Sequence, residues 1–206
     1  MTVTIENLVT SGIFSLDGGT WDVDNNVWIV GNDYECVIID SPHDAAAIIN
    51  QVRGRKVLAI LLTHAHNDHI GAAREVAEAL GAPIHLNPED LVLWKQAYPD
   101  TEPDRYHGDG DVFEVGGTAL LAIHTPGHSP GSTCFYLESE GTVFTGDTLF
   151  NGGPGATGRS YSDYPTILAS IRDRLLTLPE DTVVRTGHGE STTIGAERET
   201  LAKLSR

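Results

Sequence analysis

The run Thr63-His64-Ala65-His66-Asn67-Asp68-His69 places three imidazoles and a carboxylate within six positions, directly after the apolar stretch VLAILL. Borderline nitrogen donors and hard oxygen donors crowded this closely are costly to hold unless a divalent metal ion gathers them. A polar turn with Asp68 capping the next helix would account for one such residue, not for four. His64 and His66 lie two apart and share a direction if extended geometry persists, whereas Asp68 and His69 fall on the helix side, so two subsites are expected. Further donors follow: His128 between the glycine turns of TPGHSPGS, Asp147 at the end of TVFTGD and His188 at the end of TVVRTGH. Asp147 has a turn cap as its ordinary alternative and His188 a solvated loop position. His124, in ALLAIH, reads as a strand histidine and only weakly as a ligand.

Counted together, His64, His66 and His128 suit one ion and Asp68, His69 and His188 a second, with Asp147 free to bridge. That set fits two zinc ions sharing a water or hydroxide, and iron or manganese could take the same donors. Zinc lowers the pKa of bound water towards about 7, so a metal-bound hydroxide is the expected nucleophile and no serine or cysteine is needed. Asp68 or Asp147 would orient it.

The elements that must position these residues are short apolar runs at 25–30, 35–40, 57–64, 82–86, 119–124, 133–138, 142–147 and 182–188, which read as strands. Helical patterns lie at 43–53, 70–80, 165–178 and about 195–204, the third with Ile167, Ile171, Leu175 and Leu178 on one stripe. Hairpin-like strands come first and strand then alternates with helix, which predicts an α/β class with helices outside a sheet layer. Segments 97–111 and 151–160 read as surface loops, and the second carries four glycines without a phosphate-binding signature. The candidate ligands recur at the C-terminal ends of predicted strands, the edge at which α/β proteins gather their sites.

With 206 residues, 40% of them hydrophobic, the chain is expected to form one domain over 1–206. Twenty-nine acidic residues against 13 basic ones give a net charge of -16, which disfavours a phosphate backbone as partner. The charge leaves room for a small anionic substrate, because metal ions would make the pocket locally attractive to it. The opening MTVTIENLVTSG shows no signal-peptide pattern and nothing approaches a membrane span, and Cys36 and Cys134 read as separate buried thiols. A cytoplasmic protein with no membrane partner is therefore expected, with a homo-oligomer left open.

The HxHxDH run from His64 to His69, followed by His128, Asp147 and His188, resembles the metallo-β-lactamase fold superfamily over nearly the whole chain. FTGDTLF and GHGESTTIGAE look most like its hydroxyacylglutathione hydrolase, or glyoxalase II, branch. The resemblance implies a four-layer αβ/βα sandwich with a metal site at one edge. It also implies the same assignment of His64, His66 and His128 to one metal and Asp68, His69 and His188 to the other, bridged by Asp147. Asp40, at the end of ECVIID, matches an aspartate that supports the ligand loop without binding metal.

The implied activity is hydrolysis of a small acyl thioester. A lactonase, a β-lactamase, a phosphodiesterase and an iron-dependent persulfide dioxygenase are the alternatives on the same frame. No counterpart of the C-terminal helical extension that helps that branch bind glutathione follows GHGESTTIGAERETLAKLSR, so recognition is expected to fall to loops facing the metals. The candidates are Trp94 with Tyr98, Arg159 with Tyr161, and Trp21. Arg159 would hold a substrate carboxylate.

Overall fold

A computed structural model describes residues 3–204. The first sheet contains β1 (Thr4–Leu16), β2 (Gly19–Gly31), β3 (Glu35–Ile39), β4 (Lys56–Leu61), β5 (Ile84–Leu86) and β6 (Arg105–Tyr106), in that spatial order. Helices α1 (Ala45–Val52), α2 (Asn67–Ile70), α3 (Ala73–Leu80) and α4 (Leu91–Ala97) connect its later strands, and β3 to β6 run parallel. The second sheet draws on β7 (Val112–Val115), β8 (Thr118–His124), β9 (Thr133–Leu137), β10 (Thr142–Gly146), and, after the small pair β11 (Leu149–Phe150) and β12 (Gly153–Pro154), β13 (Val183–Thr186) and β14 (Thr192–Thr193). Its order is β14-β13-β10-β9-β8-β7. Helices α5 (Tyr164–Ser170), which runs on into a π-helical turn at Ile171–Leu175, and α6 (Ile194–Leu204) complete the chain's elements.

The period-two alternation of the strands sorts their side chains into three apolar layers. Trp28, Val30, Val37, Ile39 and Leu61 face Leu120, Phe135, Leu137 and Phe144, so the two sheets pack on each other. Val27, Ile29, Ile38 and Ile60 point the other way, onto Ile48 and Val52 of α1, Val76 of α3 and Leu93 and Trp94 of α4. On the far side Ile123, Tyr136, Val143 and Val184 meet Ile167 and Ile171. The result is the expected αβ/βα four-layer sandwich. Cys36 and Cys134 are free thiols in opposite outer layers, and burial pushes both up to about 11.

Three local expectations need correction. Strand β2 begins at Gly19 rather than near 25, and it pairs along its length with β1, a strand absent from the sequence reading. The cause is that much of this hairpin is exposed and polar, so no continuous apolar run marks it, and the signals that remain are the short alternation over 20–24 and the Asp-Gly turn with Asp17 at φ 53° and Gly18 at φ 77°. Segment 97–111 is not wholly loop, since β6 adds a short edge to the first sheet. Segment 91–98 is mostly helix α4, which buries Trp94. Among the described residues no helix is long and apolar enough to cross a membrane.

His107 sits among Phe113 and Phe135 with 2% of its surface exposed and neither ring nitrogen hydrogen-bonded. Burial, reinforced by His85 and opposed by Asp111, pulls its pKa from 6.5 to about 4. Between those values the unfolded chain takes up the proton and the native state does not, so stability falls as pH drops through that window. We expect wild-type protein to lose more thermal stability than His107→Leu between pH 7 and pH 5, measured as the difference in Tm at each pH.

Candidate metal centre

Five strands end at the same place. Asp40 follows β3, His64 to His69 follow β4, His128 lies beyond β8, Asp147 follows β10 and His188 lies just beyond β13. The chain brings their donor atoms together: His66 Nδ1 is 3.0 Å from both His64 Nε2 and His128 Nε2. Beside this trio, His69 Nε2 is 3.2 Å from His188 Nε2, and Asp68 Oδ2 lies 3.3 Å from His188 Nε2. Asp147 spans the two groups, with Oδ1 3.2 Å from His69 Nε2 and Oδ2 3.6 Å from His128 Nε2 and 3.4 Å from His188 Nε2. Such close approach leaves no room for a side chain at Gly187, where a Cβ would stand 2.3 Å from Asp147 Oδ1.

The contacts behind the ring nitrogens decide which atoms point inward. Asp40 accepts from the Thr63 N–H with one oxygen and from both Thr63 Oγ1–H and His69 Nδ1–H with the other, each at 2.8 Å. Because the Thr63 hydroxyl proton is given to Asp40, its oxygen accepts from His64 Nδ1–H at 3.1 Å. His128 Nδ1–H donates to the Ala156 carbonyl at 2.8 Å and His188 Nδ1–H to the Asp24 carbonyl at 2.7 Å. In all four rings Nε2 is therefore the nitrogen turned to the centre, and in the neutral ring it carries the lone pair, as in the tautomer that metal-binding histidines adopt. Asp40 achieves this from a left-handed backbone conformation, φ 61°, which turns its carboxylate back under the ligand loop.

Electrostatics divide the cluster. Burial and the neighbouring imidazoles hold His64 well below its ordinary value, and burial with His128 takes His66 to about 3, so both stay neutral. Burial also works against a charged His69 and His188, but Asp147 and Asp68 outweigh it, lifting His69 well above 6.5 and His188 to about 10. Burial opposes ionisation of Asp147, yet His69 and His188 hold it well below the usual carboxylate range. Divalent metals bind neutral imidazoles and ionised carboxylates, so His64, His66 and Asp147 are already in the binding form, and a metal would displace the proton that the carboxylates favour on His69 and His188. The buried Asp68 Oδ1 has no hydrogen-bond partner, and three imidazoles with a shared carboxylate on one side and a carboxylate with two imidazoles on the other form two nitrogen-and-oxygen donor sets. These residues fit two divalent ions of the zinc, iron or manganese kind.

A cavity of about 320 Å³ opens over the cluster, walled by Phe14, Leu16, Trp21 and Val23 of the β1–β2 hairpin and by Arg159, Ser160 and Ser162 opposite. The Arg159 guanidinium lies 3.7 Å from the Trp21 ring centroid, and the Ser160 N–H donates to Asp17, so the two walls touch. Trp94 and Tyr98 do not reach this space: the Trp94 indole is fully buried and donates to the Thr101 carbonyl, and the Tyr98 hydroxyl donates to that of Ile70. Their rings pack against each other in a tilted pair, 4.6 Å between centroids, beneath the ligand loop, which is a packing role. Tyr161 is exposed and outside the cavity lining, and His124 is spent on the Pro130 carbonyl. One residue was missed. Asn25 donates to Asp68 Oδ2 at 3.1 Å while its carbonyl accepts from His43 Nε2 at 2.8 Å, and nothing in NNVWIV marks it, since only the long hairpin brings it there.

Residues 20–188 match the profile of the Metallo-beta-lactamase superfamily. The chain belongs to that superfamily. With its two His/Asp clusters, it is a metal-dependent hydrolase of that fold. It is 37% identical to "Probable metallo-hydrolase YqgX" of Bacillus subtilis, over 84% of this chain and 89% of that one. "Hydroxyacylglutathione hydrolase GloC" of Haemophilus influenzae is 33% identical over 86% of this chain and 87% of its own. Among solved structures, TTHA1623 in a di-iron-bound form superposes with a TM-score of 0.78 at 36% identity, covering 86% of this chain and 94% of that one. The B3 metallo-beta-lactamase BLEG-1 gives 0.76 at 35% identity, covering 92% and 97%.

Replacing Asp40 with Ala strands two Thr63 donors and the His69 Nδ1–H in a buried place. We expect a loss of about 2–5 kcal/mol in denaturant unfolding, together with metal content below that of wild type by elemental analysis.

Proposed function

We propose that this protein hydrolyses a small acyl thioester bearing a carboxylate, using two divalent metals held by the residues above. The observation that carries the reading is the bridging position of Asp147 between two donor sets at the floor of a largely apolar cavity. Bound metals would supply Lewis acidity and lower the pKa of a water towards about 7. His64, His66 and His128 would hold one ion, and Asp68, His69 and His188 the other. The chain's own part is to orient. Asp68 and Asp147 offer carboxylate oxygens that accept a hydrogen bond from the attacking water and fix its direction, while Asn25 restrains Asp68. The hairpin wall of Phe14, Leu16, Trp21 and Val23 excludes bulk water and packs the acyl chain or the carrier.

Arg159 supplies the anion anchor. Among the described residues its guanidinium makes no ion pair or hydrogen bond, with Asp17 as a nearby charge, and it rests on the Trp21 and Phe14 rings, which fix it at the cavity wall. A thiolate leaving group needs little help from a general acid, and among the described residues the only titratable side chains lining the cavity are Arg159 and the metal-ligand candidates His66, Asp68, His128, Asp147 and His188. The name of the Haemophilus relative favours the thioester, and that of BLEG-1 keeps β-lactam hydrolysis as the second reading.

The test is initial rates on thioester, lactone, β-lactam, phosphodiester and persulfide panels with metal analysis of the same preparation. Two metals with thioester turnover are expected, and hydrolysis confined to lactones or β-lactams would sink the proposal. Asp147→Asn should keep its circular dichroism and lose about a hundredfold or more in kcat. Arg159→Ala should raise KM roughly tenfold for carboxylate-bearing thioesters at nearly constant kcat, and leave neutral ones unchanged.

A further inference from the structure

Asp90 lies outside both donor sets and has no part in the proposed chemistry, yet it is a fully buried carboxylate. An aspartate at the start of a helix ordinarily caps it, and Asp90 precedes α4 directly, but its side chain makes no capping hydrogen bond. It turns inward instead. Oδ2 accepts from the Ala65 N–H and from Ser129 Oγ–H, both at 2.8 Å, and Oδ1 accepts from the Gly131 N–H. Ala65 sits between the ligands His64 and His66, and Ser129 is the residue after the ligand His128. One carboxylate thus ties the loop after β4, in the first sheet, to the loop after β8, in the second.

Burying a carboxylate is expensive, and three donors from two separate loops are what makes it tolerable here. The same bonds fix the separation of those loops at the point where His66 Nδ1 and His128 Nε2 stand 3.0 Å apart. Asp40 works differently, because it braces His64 through Thr63 and His69 directly, one ligand from each donor set. None of the Asp90 contacts reaches Asp68, His69 or His188.

We propose that Asp90 is a positioning residue for the His64, His66 and His128 subsite alone, setting the distance between its two loops and so its affinity for a divalent metal. The inference rests on the reading that this trio holds a metal. Zinc affinity, measured by chelator competition, tests it in two backgrounds that each keep one subsite. In His188→Ala protein, adding Asp90→Asn should weaken zinc about tenfold or more, because an amide offers one acceptor oxygen where three donors converge. In His128→Ala protein the same change should leave affinity within about twofold. Should Asp90→Asn fail to fold, Ser129→Ala removes one of the three bonds and keeps the carboxylate, and should weaken zinc in the His188→Ala background only. Equal weakening in both backgrounds, or none in His188→Ala, overturns the proposal. A His188→Ala protein that binds no zinc overturns the metal reading itself, and this inference with it.

Discussion

Five imidazole rings and two carboxylates aim at one small buried volume, and within the His64, His66 and His128 trio nothing in the rings' own chemistry keeps them there without a metal to share. Lone pairs 3.0 Å apart repel unless a cation or a proton lies between them, so the arrangement has to be imposed from behind. The Asp40 carboxylate carries much of that load. It holds the Thr63 backbone and hydroxyl and the His69 ring at once, and through Thr63 it also fixes the tautomer of His64. Carbonyls of Ala156 and Asp24 do the same for His128 and His188. The protein thus spends buried backbone and carboxylate acceptors on orientation, leaving the inward-facing nitrogens free to act as donors.

The sandwich explains why such bracing is possible. Donors come from loops of both sheets, and the apolar layer formed by Trp28, Ile39, Leu61, Phe135 and Phe144 keeps the sheets in register behind them. Strands that end together present their loops to one another, and the buried core below makes the edge rigid. The β1–β2 hairpin then adds a wall that the sheet edge alone could not provide, and the contact of Trp21 with Arg159 joins that wall to the loop after β12. In a chain of net charge -16, the Arg159 guanidinium thus stands at the wall of a cavity over the donors, which would give an anionic substrate a local reason to enter despite the global field.

The donors were legible in the sequence because their spacing is short and their types are specific. His64, His66, Asp68 and His69 stand in one run, and His128, Asp147 and His188 each end a strand among glycines. The layers were legible because strands buried on both faces read as apolar runs. The full hairpin was not, since Thr20, Asp22 and Asp24 of β2 are solvated and alternate with Trp21 and Val23, so no continuous apolar run marks that half of the strand. Trp94 and Tyr98 pointed the wrong way for a related reason: aromatic residues near a polar loop look like a binding surface until a helix turns them beneath the ligand loop.

The sequence by itself determined the donor set, the class of metal that suits it, and the order of the buried strands and main helices, because these depend on residue type and local period. Only the tertiary structure decided which nitrogen of each ring faces the centre, that Asn25 restrains Asp68, and that Asp90 links two ligand loops instead of capping α4. It also decided that Arg159 rests on Trp21 over the cavity. Each of these is a contact between residues far apart in the chain, between Asn25 and Asp68 or between Trp21 and Arg159, and hydrogen-bond direction and packing at that range leave no trace in local pattern.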